Sequence, residues 1–217
     1  MSTNLKPIEK VVLIHGWISH PLLMKPLEWR LQRAGFATCN WGYRSLTRSI
    51  QDHAQDFAAY LHSLDQAPGG GTFHIVGHSL GSIITRCVLQ HHQLDHLGRV
   101  VMLCPPNRGS HMARRATALL TNRFGNRFEN RLRTLSEISD ATDSFVNQLP
   151  LAIQAQIGII IATGDRVVYE SATRLEDAAD YATVPGMHNA VLFKRTVVDL
   201  CVRFLKFGKF KEDSQAP

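Results

Sequence analysis

Short apolar runs alternate with longer amphipathic stretches along nearly the whole chain, and few folds accommodate that rhythm. A short apolar run reads as a strand buried on both faces, and an amphipathic stretch as a helix covering one of them. The repeated alternation predicts an α/β fold: a mostly parallel central sheet of about six strands flanked by helices. The expected strands are Val11–Ile14, Phe36–Trp41, Phe73–Val76, Val100–Leu103, Ile157–Ala162 and Tyr181–Val184. Helices are expected over Leu22–Ala34, stopped by Gly35, and over Ile50–Leu64, broken by Pro68-Gly69-Gly70-Gly71. Two more are expected over Ser82–His91 and Val191–Phe207. Residues 111–150 interrupt the rhythm with helical, arginine-rich sequence and no strand candidate. A connection of that length is expected to form a helical cap or lid-like insertion.

At 217 residues, 44% hydrophobic and 19% charged, the chain suits one globular domain spanning residues 1–217. No apolar run approaches the roughly 20 residues that cross a bilayer. The polar Met1–Lys10 segment and the short Val11–Ile14 run do not resemble a signal peptide, so a cytoplasmic location is expected. Cys39, Cys87, Cys104 and Cys201 are scattered without C-x-x-C spacing and read as buried free thiols. The net charge of +6 is concentrated in one stretch, where Arg108, Arg114, Arg115, Arg123, Arg127, Arg131 and Arg133 face the single acid Glu129. Such a stretch favours an anionic membrane surface, nucleic acid or acidic substrates, or else forms a solvated helical face.

Gly77-His78-Ser79-Leu80-Gly81 joins an apolar run to a helix-like run. A serine with glycine two residues away on each side, between strand and helix, is the pattern of a nucleophile held on a tight turn at the carboxyl edge of a sheet. A serine hydroxyl is a poor nucleophile at neutral pH. It needs a base within hydrogen-bond reach and an acid to orient that base. In this arrangement the chain order is serine, acid, histidine. Five histidines follow Ser79: His91, His92, His96, His111 and His188. Only His188 follows a late strand on a loop shaped by proline and glycine, in Val184-Pro185-Gly186-Met187-His188. Asp165 leaves the carboxyl end of the Ile157–Ala162 strand; Asp177 and Asp180 are rivals with less suitable placement. The oxyanion donors would be the backbone N–H groups of Leu80, after the serine, and of Trp17, in His15-Gly16-Trp17 after the first strand.

These motifs resemble those of the α/β-hydrolase family, and the resemblance spans nearly the whole chain. It rests on Val12-Leu13-Ile14-His15-Gly16, Gly77-His78-Ser79-Leu80-Gly81, Gly164-Asp165-Arg166-Val167-Val168 and Gly186-Met187-His188. It is closer to small bacterial lipase and esterase members with a reduced core sheet. The resemblance implies Ser79 as nucleophile, His188 as base and acid, and Asp165 as the group that orients it. Pro106-Asn107-Arg108-Gly109-Ser110 is similar to the segment after the sixth family strand, and Ser171–Leu175 to the segment after the acid. His15, His78, Asn107 and Arg108 are the candidates for lining a substrate pocket. The chain departs from the family at Ser82, where glycine is frequent, and at Arg108, where a small residue is usual. Either would narrow or charge the pocket.

Other signals are weaker. His92 and His96 have i, i+4 spacing on an expected helix, but no third ligand or H-E-x-x-H pattern accompanies them, so no metal site is expected. The glycines at 69–71 lack the lysine of a phosphate-binding loop; no cofactor and no nucleic acid are expected. Trp29 and Trp41 read as core or packing residues. The reading is therefore a serine hydrolase of small-molecule or lipid esters acting through an acyl-enzyme. Thioesters, amides or acyl transfer would use the same machinery. The competing reading is a non-catalytic binding protein on the same scaffold, contacting anionic membrane or nucleic acid through its arginines.

Overall fold

The computed structural model describes residues 8–46, 48–124, 129–151, 153 and 155–211. Six strands, β1 (Lys10–Ile14), β2 (Ala37–Trp41), β3 (Phe73–His78), β4 (Leu97–Leu103), β5 (Gln156–Ala162) and β6 (Asp180–Val184), form one sheet in the order β2-β1-β3-β4-β5-β6, and every neighbouring pair is parallel. Parallel strands need crossovers, and here helices supply most of them. The alternation of side chains along each strand divides the core in two. Val12, Ile14, Ile75, Val100, Met102, Ile157 and Ile159 pack under α2 (Ile50–Asp65) and α3 (Leu80–His91). Val11, Leu13, Val76, Val101, Leu103 and Ile160 pack under α1 (Pro21–Arg33) and α8 (Arg195–Phe207). Strands covered on both faces are why their sequences read as unbroken apolar runs.

The chain winds one way from β1 to β2, then jumps back across β1 to β3 and proceeds the other way to β6. The loops leaving β1 and β3 therefore diverge, opening a crevice at the carboxyl ends of the strands. Between β4 and β5 lie α4 (His111–Phe124), α5 (Glu129–Glu137) and the short α6 (Phe145–Gln148), with an isolated bridge between Ser110 and Ser139. The short α7 (Glu170–Thr173) follows β5. No described helix is long and apolar enough to cross a membrane.

Four expectations change. The helix expected over Val191–Phe207 is two elements, a 3-10 turn at Ala190–Phe193 and α8, because Lys194 is extended (φ −82°, ψ 132°) while the apolar spacing runs on unbroken. Trp29 is half exposed, with the Arg33 guanidinium 3.6 Å above its ring, so it is not a core residue. Cys39 is only partly buried, whereas the other three thiols are buried. His92 and His96 do not share a helix: α3 ends at His91, His92 contacts His62 at 3.2 Å, and His96 pairs with Asp65 at 3.3 Å.

The helix that starts at Ser79 also anchors the end of the α4–α6 region. Arg86 is fully buried on α3 and donates to four carbonyl contacts: Asn107 at 2.8 Å, Leu149 at 2.6 Å, and Pro150 at 2.9 and 3.2 Å. No carboxylate pairs with it among the described residues. Burial, with Arg108 nearby, draws its pKa down to about 10, so it remains a cation at neutral pH held by backbone dipoles alone. Replacing it with leucine orphans buried carbonyls on two separate segments, a loss of roughly 3–5 kcal/mol. For a chain of this size that corresponds to a fall of about 10 °C in the thermal midpoint. Calorimetry of Arg86→Leu checks this, and Arg86→Lys, lacking the planar fork, should recover less than half of the loss.

Candidate active site

Ser79 follows β3 directly and precedes α3, with φ 52° and ψ −120°, a region that side-chain-bearing residues rarely adopt. Its amide is tied to the Leu103 carbonyl at 2.9 Å. The flanking glycines have steric causes. A Cβ on Gly77 would lie 2.9 Å from the Ser82 backbone, and one on Gly81 would lie 2.5 Å from the Ile14 carbonyl oxygen. Any larger residue at either position would push α3 off the strand ends.

The carboxyl ends of β3, β5 and β6 bring Ser79, Asp165 and His188 together. His188 Nε2 lies 2.9 Å from Ser79 Oγ, and His188 Nδ1 lies 2.6 Å from Asp165 Oδ2. The other oxygen of Asp165 accepts the N–H groups of Val167 at 2.8 Å and Val168 at 3.0 Å. Burial alone would raise the Asp165 pKa; the hydrogen bonds from His188, Val168 and Val167 outweigh it and hold the carboxyl below its ordinary range. With Asp165 ionised, Nδ1 of His188 carries the proton and Nε2 is free to accept one from the serine hydroxyl. The rivals lie elsewhere: Asp180 accepts the Phe210 amide at the start of β6, and Asp177 lines a hollow at the far end of α3.

A cavity of about 260 Å³ opens beside Ser79 and His188, with Gly16, Trp17 and His78 at its base. Met112, Ala113 and Ala116 of α4, Leu135 of α5, Ile138 and Val168 make most of its wall apolar. A larger hollow of about 630 Å³, bounded by Gln90–Leu94 and Asp177, contains none of Ser79, Asp165 and His188. The backbone N–H groups of Trp17 and Leu80 find no acceptor among the described residues.

Of the four expected pocket residues, the cavity includes His78 alone. His78 is buried, donates from Nε2 to the His188 carbonyl at 3.2 Å, and is kept neutral by burial, which lowers its pKa to about 3. His15 lies behind the cavity against Tyr43. Asn107 is buried with its side chain on the Thr173 carbonyl at 2.7 Å. Arg108 points outward toward Glu176 at 3.7 Å. Ser82 neither narrows nor charges the cavity, since its hydroxyl is buried and donates to the Gly77 carbonyl at 2.9 Å. Within the arginine stretch, Arg114 pairs with Asp140 at 2.6 Å and Arg133 with Glu137 at 3.0 Å. Arg127 and the side chain of Arg131 lie outside the described residues.

Sequence reasoning read Cys104 as a buried thiol but missed its place beside the site: it has φ 48°, is fully buried, and places its sulfur within 4.8 Å of Asp165 and His188. Burial, together with the nearby Asp165 charge, raises its pKa and keeps it a thiol. Three donor types so close could hold a metal, but here both nitrogens of His188 are engaged by Ser79 and Asp165.

Comparison with known proteins follows the same lines. Residues 11–201 match the model of the alpha/beta hydrolase family, whereas no curated protein matches the chain. Among solved structures, the mature form of the Bacillus licheniformis lipase BlEst2 is similar with a TM-score of 0.64 at 16% identity, covering 84% of this chain and 86% of that one. A thermophilic esterase from Thermogutta terrifontis, bound to malate, gives 0.65 at 14% identity over 92% and 90%. Aspergillus fumigatus lipase B gives 0.70 at 13% identity over 92% of this chain and 52% of that one. At these identities the structural likeness is one of fold. The sequence match, running from the first strand into the last helix, carries the assignment: the chain belongs to the alpha/beta hydrolase family.

Proposed function

We propose that the protein hydrolyses carboxylic esters with apolar acyl chains of short to medium length, through an acyl-enzyme on Ser79. The observation that carries this reading is the hydrogen-bonded chain Asp165–His188–Ser79 ending at an apolar cavity. Ser79 Oγ attacks the ester carbonyl carbon while His188 Nε2 takes the hydroxyl proton. The carbonyl oxygen becomes an oxyanion, received by the otherwise unpartnered N–H groups of Trp17 and Leu80. Collapse of the tetrahedral adduct breaks the bond to the alcohol oxygen, which leaves with the proton from His188. Water then attacks the acyl-enzyme with His188 again acting as base, and Ser79 is regenerated.

The cavity supports the substrate class. At roughly 30 Å³ per water-sized group, 260 Å³ holds on the order of eight carbon atoms. Its wall offers no charged side chain to pair with an ionic substrate. The test is turnover of p-nitrophenyl esters from acetate to palmitate, with acyl-thioesters alongside, and labelling of Ser79 by a fluorophosphonate. A protein that turns over none of the esters, or is labelled equally after Ser79→Ala, is not an ester hydrolase of this type. Ala116→Phe should displace several methylene groups from the cavity. At ~0.8 kcal/mol per methylene, octanoate kcat/KM should fall about 30- to 100-fold. Acetate, too short to reach that wall, should change little.

A further inference from the structure

Resting on that reading, we propose that His15 is a positioning residue: it grips the Gly16 carbonyl and thereby aims the Trp17 amide at the oxyanion on Ser79. His15 follows β1 directly, is fully buried and stays outside the cavity. Its Nδ1 lies 2.8 Å from the Gly16 carbonyl oxygen and its Nε2 lies 3.4 Å from the Tyr43 amide nitrogen. A carbonyl only accepts and an amide N–H only donates, so these partners fix the ring with its proton on Nδ1 and its lone pair on Nε2. The ring is also clamped from the side. The Tyr43 ring stacks on it at 4.4 Å between centroids and 13° between planes, and the Tyr43 hydroxyl donates to the His15 carbonyl at 2.9 Å.

The consequence lies in the next peptide group. No peptide bond among the described residues is cis, so the Gly16 C=O and the Trp17 N–H sit on one rigid plane and point in opposite directions. Holding the carbonyl at one edge of the plane sets the direction of the N–H at the other. Gly16, at one corner of that plane, sits close beside the nucleophile. A Cβ built on Gly16 would lie 3.0 Å from Ser79 Cβ and 3.1 Å from His78 Nδ1. Beyond the plane, the Ile18 amide is pinned to Ser45 Oγ at 3.0 Å. The Trp17 amide between these two anchors has no acceptor of its own among the described residues. A side chain at 16 would crowd Ser79 and His78, yet glycine is the residue with the least intrinsic preference for one peptide orientation. A flipped plane would present a carbonyl to a developing oxyanion and repel it. The His15 ring supplies the preference that the glycine lacks.

The experiment compares wild type, His15→Phe and His15→Asn. Phenylalanine keeps a ring against Tyr43 and loses the donor; asparagine keeps a donor for the Gly16 carbonyl and loses the ring. Four quantities are read: kcat and KM on the preferred p-nitrophenyl ester per fluorophosphonate-titrated site, affinity for a trifluoromethyl ketone, and the thermal midpoint. The ketone forms a tetrahedral adduct with the serine and so reports the oxyanion donors directly. For His15→Phe, kcat should fall by about 10- to 100-fold with little change in KM, a fraction of what deleting a donor costs. Ketone affinity should fall in step with kcat, and His15→Asn should return kcat to within about fivefold of wild type. A His15→Phe protein whose kcat stays within about threefold of wild type overturns the proposal. So does a loss of kcat without loss of ketone affinity, or a folded His15→Asn as slow as His15→Phe. Wild type inert toward every ester overturns the ester reading first, and this role with it.

Discussion

Ser79→Ala is expected to lower kcat on the preferred p-nitrophenyl ester by roughly a millionfold while leaving the fold intact. The residue is buried and its backbone torsions are imposed by the β3–α3 turn, the Ser79–Leu103 hydrogen bond and the packing of Gly77 and Gly81, none of which involves the hydroxyl. On the proposed mechanism the variant loses the atom that would be acylated and so has only positioning left. The amides of Trp17 and Leu80 and the apolar cavity survive, so the residual rate should still exceed that in water by about 10³- to 10⁴-fold. Adding Asp165→Asn to Ser79→Ala should cost nothing further, because the two act as one unit. Steady-state turnover by the purified single and double variants, measured against the uncatalysed rate, checks both statements. An additive loss in the double variant would mean that Asp165 acts independently of Ser79.

Asp165→Asn alone is expected to lower kcat by about 10⁴-fold, with the site geometry preserved. The reasoning follows the protons. Asp165 Oδ1 accepts two backbone N–H groups, from Val167 and Val168, and an amide oxygen can accept both, though less strongly. Those two bonds therefore hold the asparagine with its oxygen toward them and its NH2 toward His188 Nδ1, where Oδ2 now lies at 2.6 Å. A donor facing Nδ1 makes that nitrogen the acceptor and moves the ring proton to Nε2. The nitrogen 2.9 Å from Ser79 Oγ then has no lone pair with which to take the serine proton. Raising the pH to form alkoxide directly should recover part of the loss, a readout that a merely loosened loop would not give. If Asp165→Asn kept more than about a tenth of wild-type kcat, the orientation of His188 would have to come from elsewhere.

The central strands were legible because they are covered on both faces, which turns Val11–Ile14, Val100–Leu103 and Ile157–Ala162 into uninterrupted apolar runs. The extension of β3 to His78 was not, since a polar residue looks like the end of a strand unless its burial is known. The meeting of Ser79, Asp165 and His188 followed from direction: a parallel sheet brings all its carboxyl ends to one edge, and each residue leaves such an end. The cavity wall was much less readable. His15, Asn107 and Arg108 flank site motifs in sequence, but the first turns onto Tyr43, the second inward onto the Thr173 carbonyl, and the third outward. Those directions are set by the partners each side chain meets across the fold. Conversely, Ala113 and Ala116 share a helical face, as do Leu135 and Ile138, yet nothing local says which end of the sheet those faces approach. Arg86 reads as an ordinary surface arginine on an amphipathic helix. Only the arrival of Asn107, Leu149 and Pro150 around it makes it a buried anchor.

The left-handed torsion at Ser79 has an evolutionary corollary. A backbone in that region favours glycine, and any side chain there carries a conformational cost of about 1–3 kcal/mol. Selection for durability alone would erase the hydroxymethyl group. On the proposed reading, a hydroxymethyl group on so uncomfortable a backbone is a compromise in which robustness is surrendered for reactivity.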